Sequence, residues 1–237
     1  MAAKRPAVIG FDADDTLWHN ERFYRLTEAR FAALLSAHGA AETISARLLE
    51  TERRNLRHYG YGIKGFVLSM IDTAIEVTGG RVETSAIAEI LAFGRDMSEH
   101  PVEPLPHARE TLALLHGACR LVLVTKGDLF DQERKVAASG LGDFFDAVEI
   151  VSEKTPDTYR HVFARHGSGA GDAVMVGNSL KSDVIPALEA GAWAVHVPHD
   201  LTWALEQVPP PVNAPRFRAI ADLSGLPPVL DTLDWPR

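Results

Sequence analysis

Apolar residues along this chain fall into two rhythms. Ala7 to Phe11, Arg120 to Thr125 and Ala173 to Gly177 are short, near-continuous runs rich in β-branched residues, each ending in small or polar residues; this pattern predicts strands buried on both faces. Ala147 to Val151 and Ala192 to Val197 read the same way, and a last strand is predicted over Arg216 to Ala219. Helical periods over Pro106 to His116, Leu129 to Ser139, Thr158 to His166 and Lys181 to Ala190 alternate with these runs. Strand and helix in alternation imply right-handed crossovers and a parallel sheet, an α/β fold of Rossmann-like type.

Between the first and second strands the rhythm changes. Residues 18–102 carry almost no strand signal. Phe23, Leu26, Phe31, Leu34 and Leu35 share one predicted helix face; Phe66, Met70, Ile71, Ala74 and Ile75 share another, and Ile87, Ile90 and Leu91 a third. The expectation is an inserted α-helical domain of four helices over 18–102, with residues 1–17 and 103–237 forming the α/β core. Three prolines within Pro101 to Pro106 mark the return to the core, and four within Val208 to Pro215 mark a stiff surface connection.

Composition narrows the class. The 237 residues are 46% hydrophobic and 24% charged, with 18 Gly and 14 Pro, which excludes collagen-like, coiled-coil and disordered chains. A formal charge of -8 gives no compositional footprint for nucleic acid or an anionic membrane. No apolar run reaches the ~20 residues of a membrane span, and the expected location is cytoplasmic. The single cysteine, Cys119, reads as a small buried hydrophobe. The ten histidines are scattered and receive no role, and oligomeric state is not legible.

The chemistry concentrates at predicted strand ends, where parallel sheets place their ligands. Phe11-Asp12-Ala13-Asp14-Asp15-Thr16-Leu17 clusters three carboxylates that repel one another unless a cation is near. Thr125-Lys126-Gly127-Asp128 ends the second strand with a hydroxyl and backbone amides leading into a helix, a suitable phosphate cradle. Lys154 precedes a helix with Pro156 in its first turn. Asn178 and Asp183 follow the fourth strand with oxygen donors that suit Mg²⁺. Trp18 either walls this site or packs in the core. Gly60-Tyr61-Gly62-Ile63-Lys64-Gly65 matches a dinucleotide fingerprint literally, but charged, helix-like residues precede it; it reads as a loop whose Lys64 could face a substrate.

These motifs, in this order, resemble those of the haloacid dehalogenase superfamily, and specifically a phosphatase-type member with a helical C1-type cap. Asp12, Asp14 and Thr16 match the first motif, Thr125 the second, Lys154 the third, and Asn178 with Asp183 the fourth. The resemblance implies a magnesium-dependent phosphoric monoester hydrolase with Asp12 as nucleophile, Asp14 as acid and base, and an aspartyl-phosphate intermediate. It implies a metal held by Asp12, Asp14 through its carbonyl, Asn178 and Asp183, with Thr125, Lys126 and Lys154 binding substrate. A cap of this type implies a small phosphate ester such as a nucleotide, sugar phosphate, phosphoglycolate or flavin mononucleotide. Asn178 stands where many members carry Asp, so weaker magnesium affinity is expected. A phosphomutase, a dehalogenase of the same fold and a non-catalytic binding protein are the alternatives; the acid at Asp14 argues against the dehalogenase.

Overall fold

A computed structural model describes residues 5–235. Six strands, β1 (Val8–Phe11), β2 (Arg120–Lys126), β3 (Ala147–Val151), β4 (Ala173–Gly177), β5 (Trp193–His196) and β6 (Phe217–Ala219), form one sheet in the order β3-β2-β1-β4-β5-β6. Every pairing is parallel, with Phe11 beside Leu123 on one side and Val176 on the other. All the carboxyl ends therefore share one edge, and the order reverses direction at β1, where a ligand crevice opens in sheets of this kind.

The helices are α1 (Glu21–Leu34), α2 (Ala41–Tyr59), α3 (Ile63–Val77), α4 (Thr84–Glu99), α5 (Ala108–Leu115), α6 (Leu129–Ser139), α7 (Pro156–His166), α8 (Ile185–Glu189) and α9 (Leu226–Leu230). Contacts divide the chain into two compact units. One holds the residues up to His19, Val102–Lys126 and everything from Arg134 on; the other holds Asn20–Pro101 with Gly127–Glu133. The sequence reading leaves 127–133 with the core, whereas Asp128 there accepts two hydrogen bonds from Lys64 at 2.9 and 3.0 Å. Lys64 is thus committed to an ion pair, and the Gly60 to Gly65 stretch is the α2–α3 connection, with Gly60 and Gly62 at positive φ.

In the sheet unit the period of two sorts side chains cleanly. Ile9, Phe11, Leu121, Leu123, Val174 and Val176 pack on one face with α5 and α9; Val8, Val122, Val124, Ala173 and Met175 pack on the other with Tyr159 and Phe163 of α7 and Ala187 of α8. Near-continuous apolar strands are what a sheet covered on both faces requires. The predicted helix over Lys181 to Ala190 is instead a π-type turn, Leu180–Val184, followed by the short α8.

The helical unit buries Phe31, Ile44, Leu48, Phe66, Met70, Ala74, Ile90, Phe93 and Met97. Its stripes are narrower than expected. Leu26, Ile75 and Leu91 are 60%, 42% and 44% exposed, because each lies one residue, or about 100°, from a buried position at 27, 74 and 90.

One polar group in this unit is poorly placed. Burial, reinforced by Glu28 and Glu21 and only partly offset by Arg25, pushes Glu52 up to about 8. The folded state therefore holds a proton that the unfolded chain has released, and stability falls as pH climbs from the ordinary glutamate range through about 8. Glu52→Gln is expected to remove that slope and to gain ~1–3 kcal/mol at pH 9 while changing little at pH 4. Calorimetric melts across this range check it; a variant that loses stability at pH 9 would show that the carboxylate is paired rather than repelled.

Candidate active site

Four strand ends converge. Asp12 directly follows β1, and its amide donates to the Val176 carbonyl at 2.9 Å, so the β1–β4 ladder runs on into Asp12. Lys154 lies between β3 and α7, whose N-cap Thr155 accepts from the Thr158 amide. Its Nζ donates to Asp12 Oδ1 and, at 2.7 Å, to Asp183 Oδ1, with all three residues buried. Asp183 Oδ2 accepts from the Ser179 amide at 2.9 Å. The π-type turn allows this by swinging Asp183 back against the end of β4. A Cβ on Gly177 would lie 2.3 Å from Asp183 Oδ2, so only glycine admits the carboxylate there.

Thr16 joins the first and fourth motifs. Its hydroxyl accepts from the Asn178 amide at 3.0 Å, and it can give its single proton to Asp12 Oδ2 at 3.1 Å or to Asn178 Oδ1 at 3.2 Å. The structure thus brings together Asp12, Thr16, Lys154, Asn178 and Asp183. Thr125 is buried at the end of β2, the strand beside β1.

Two predicted site residues are placed differently. Lys126, expected on the substrate phosphate, donates to Ser182 Oγ and Glu206, both at 2.7 Å. Glu206 also accepts from the Ser179 and Ser182 hydroxyls; these contacts with Lys126 hold its carboxyl below the usual glutamate range despite its burial. Lys126 is therefore a strut between β2 and the turn carrying Asp183. Asp14, the expected acid, is held in an ion pair: Lys135 Nζ of α6 donates to both oxygens at 2.7 Å, and Trp18 Nε1 donates to Oδ1 at 2.8 Å. Trp18, nearly inaccessible, is both core and clamp. Lys135 and Glu206 carry no motif and were beyond sequence reasoning, since only the fold brings them to the strand ends.

The electrostatics leave room for a cation. Two buried carboxylates, Asp12 and Asp183, share one ammonium. Burial first, then Asp183, push Asp12 up to about 7 against the pull of Lys154, while both carboxylates keep Lys154 raised and charged despite its own burial. The donors beside this deficit are carboxylate and amide oxygens, the set that Mg²⁺ takes.

A family model described as haloacid dehalogenase-like hydrolase matches residues 6–191. Among solved structures, a haloacid dehalogenase-like family hydrolase from Xanthomonas campestris is 42% identical with a TM-score of 0.85, over 98% of this chain and 94% of that one. A glyceraldehyde 3-phosphate phosphatase of Methanothermobacter thermautotrophicus is 30% identical over 94% of this chain and 99% of its own length. An N-acylneuraminate-9-phosphatase of Rattus norvegicus is 26% identical over 81% and 82%.

Proposed function

The chain belongs to the haloacid dehalogenase-like hydrolase family, and from that premise we propose that it is a magnesium-dependent phosphomonoesterase acting on small phosphorylated metabolites, phosphorylated sugars foremost. The observation that carries this reading is Lys154 held between Asp12 and Asp183, which fixes a buried carboxylate at the end of β1 with a cation beside it. The names of the relatives, a glyceraldehyde 3-phosphate phosphatase and an N-acylneuraminate-9-phosphatase, support the substrate class.

Asp12, Asn178, Asp183 and the Asp14 carbonyl would hold the metal, which when bound supplies charge that screens carboxylate from phosphate. Asp12 attacks phosphorus, the ester P–O bond breaks, and the leaving oxygen takes a proton from Asp14. Asp14 then accepts a proton from the water that displaces Asp12 and releases inorganic phosphate. To deliver that first proton Asp14 has to let go of Lys135, so the observed ion pair is a resting arrangement.

Malachite-green detection of phosphate over a panel of sugar phosphates and p-nitrophenyl phosphate is expected to show turnover with Mg²⁺ and a loss of at least ~100-fold in EDTA. No phosphate from any compound overturns the reading, and isomerised sugar phosphate without free phosphate marks a mutase instead.

A further inference from the structure

Outside the Asp12 cluster the sheet unit holds a second set of metal-ligating side chains, of different chemistry. Asp15, His19 and His199 each offer one ligand atom, and these atoms all lie within 4.8 Å of one another. Asp15 and His19 come from the segment after β1, and His199 comes from the loop after β5. We propose that these three residues bind a late first-row divalent ion, Zn²⁺ by preference, at a site separate from the magnesium site.

The orientation of His199 argues for this. Its Nδ1 edge is taken up by the backbone of Leu201, with the carbonyl at 2.9 Å and the amide at 3.3 Å. The two contacts call for opposite tautomers, and the shorter one, to the carbonyl, sets the proton: with Nδ1–H donated there the amide makes no bond to the ring, and the lone pair stays on Nε2, the tautomer and orientation in which protein ligands hold metals. That Nε2 faces Asp15 Oδ1 at 3.6 Å, too far for a hydrogen bond. The spacing suits two atoms sharing an ion, because ligands ~2.0–2.2 Å from a tetrahedral ion sit roughly 3.3–3.6 Å apart. The rings of His19 and His199 lie side by side, with centroids 5.8 Å apart. The side chains of His199 and Asp15 are largely buried, 11% and 7% exposed, so an ion between them would be shielded from bulk water.

Two imidazoles and one carboxylate suit Zn²⁺, Co²⁺ or Ni²⁺ and are poor ligands for Mg²⁺, while the oxygen donors around Asp12 have the opposite preference. One chain thus sorts two ions by ligand softness. Bound there, the ion would tie the loop after β5 to the segment that also carries Asp14 and Trp18.

The test uses tag-free, EDTA-stripped full-length protein in excess Mg²⁺, titrated with Co²⁺. One equivalent is expected to bind with the visible absorption of four- or five-coordinate cobalt and to be displaced by Zn²⁺. His199→Gln and His19→Gln should each weaken cobalt binding at least ~100-fold, and Asp12→Asn should leave it intact. Loss of the cobalt signal in Asp12→Asn would place the ion in the Asp12 cluster and overturn the proposal, as would wild-type affinity in both histidine variants or no binding by the unaltered protein. Circular dichroism checks the fold of each variant. If a variant does not fold, paramagnetically shifted imidazole protons of the unaltered Co²⁺ protein decide: two coordinated histidines uphold the site, and fewer overturn it. The outcome is independent of phosphatase turnover, which Asp12→Asn tests separately.

Discussion

Asp12→Asn is expected to reduce phosphate release by ~10⁴-fold or more while melting above the unaltered protein in metal-free buffer. Loss of activity follows from chemistry, since an amide nitrogen or oxygen cannot take the place of a carboxylate nucleophile at phosphorus. The gain in stability follows from charge. Asp12 and Asp183 both sit beside Lys154, each buried, so one negative charge in this cluster has no counter-ion of its own. Asparagine keeps its one oxygen for Lys154, turns its NH2 to the Thr16 hydroxyl, which can pass its own proton to Asn178 Oδ1, and discards that charge. Removing repulsion and desolvation of this kind is worth ~1–3 kcal/mol, or roughly 2–12 °C in a chain of this size. Parallel assays of phosphate release and thermal melting in EDTA check both halves. Residual turnover near the wild-type level would remove Asp12 from the nucleophile role, and a lower melting temperature would show that the carboxylate is satisfied without metal. The opposite signs are those of a site that gives up stability for function.

How far the sequence carried this picture depends on the range of each signal. The strands were legible because a sheet covered on both faces demands near-continuous apolar runs, and β1, β4 and Leu121 to Val124 of β2 supply them. Asp12, Lys154 and Asp183 were legible because each stands a few residues beyond such a strand. Lys135 was not, because nothing in α6 distinguishes it from a surface lysine until the fold brings it to Asp14. Lys126 is a related case: adjacency to Thr125 suggests substrate, while the partner it meets in the structure, Glu206, lies 80 residues away in sequence. His19 and His199 show the same limit. Each looks like an isolated histidine, and only the juxtaposition of the loops after β1 and β5 makes them neighbours. Helix faces failed by single residues, as at Leu26 and Leu91, because an apolar side chain at the edge of a stripe costs little when exposed.

Lys154→Met is the sharper test of how the cluster is held together. The lysine side chain is 2% exposed and is hydrogen-bonded to both Asp12 and Asp183. Removing the cation while leaving two buried carboxylates is expected to cost ~3–5 kcal/mol, the penalty of an uncompensated buried charge rather than the net worth of the pair. Turnover should fall by at least ~10²–10³-fold, because in the proposed mechanism the same ammonium would stabilise charge on the transferring phosphoryl group beside Asp12. Arginine should not rescue, since its planar fork does not fit a space closed around a tetrahedral ammonium. Magnesium should raise the melting temperature of Lys154→Met more than that of the unaltered protein, as the ion takes over neutralisation that the lysine otherwise shares. The double variant with Asp12→Asn separates charge from packing. With one carboxylate gone, Asp183 alone remains unpaired, and the Lys154→Met penalty should shrink by ~1–3 kcal/mol. If the two substitutions instead add without coupling, the stability of this cluster rests on shape, and the excess of buried negative charge cannot be what calls a metal to the end of β1.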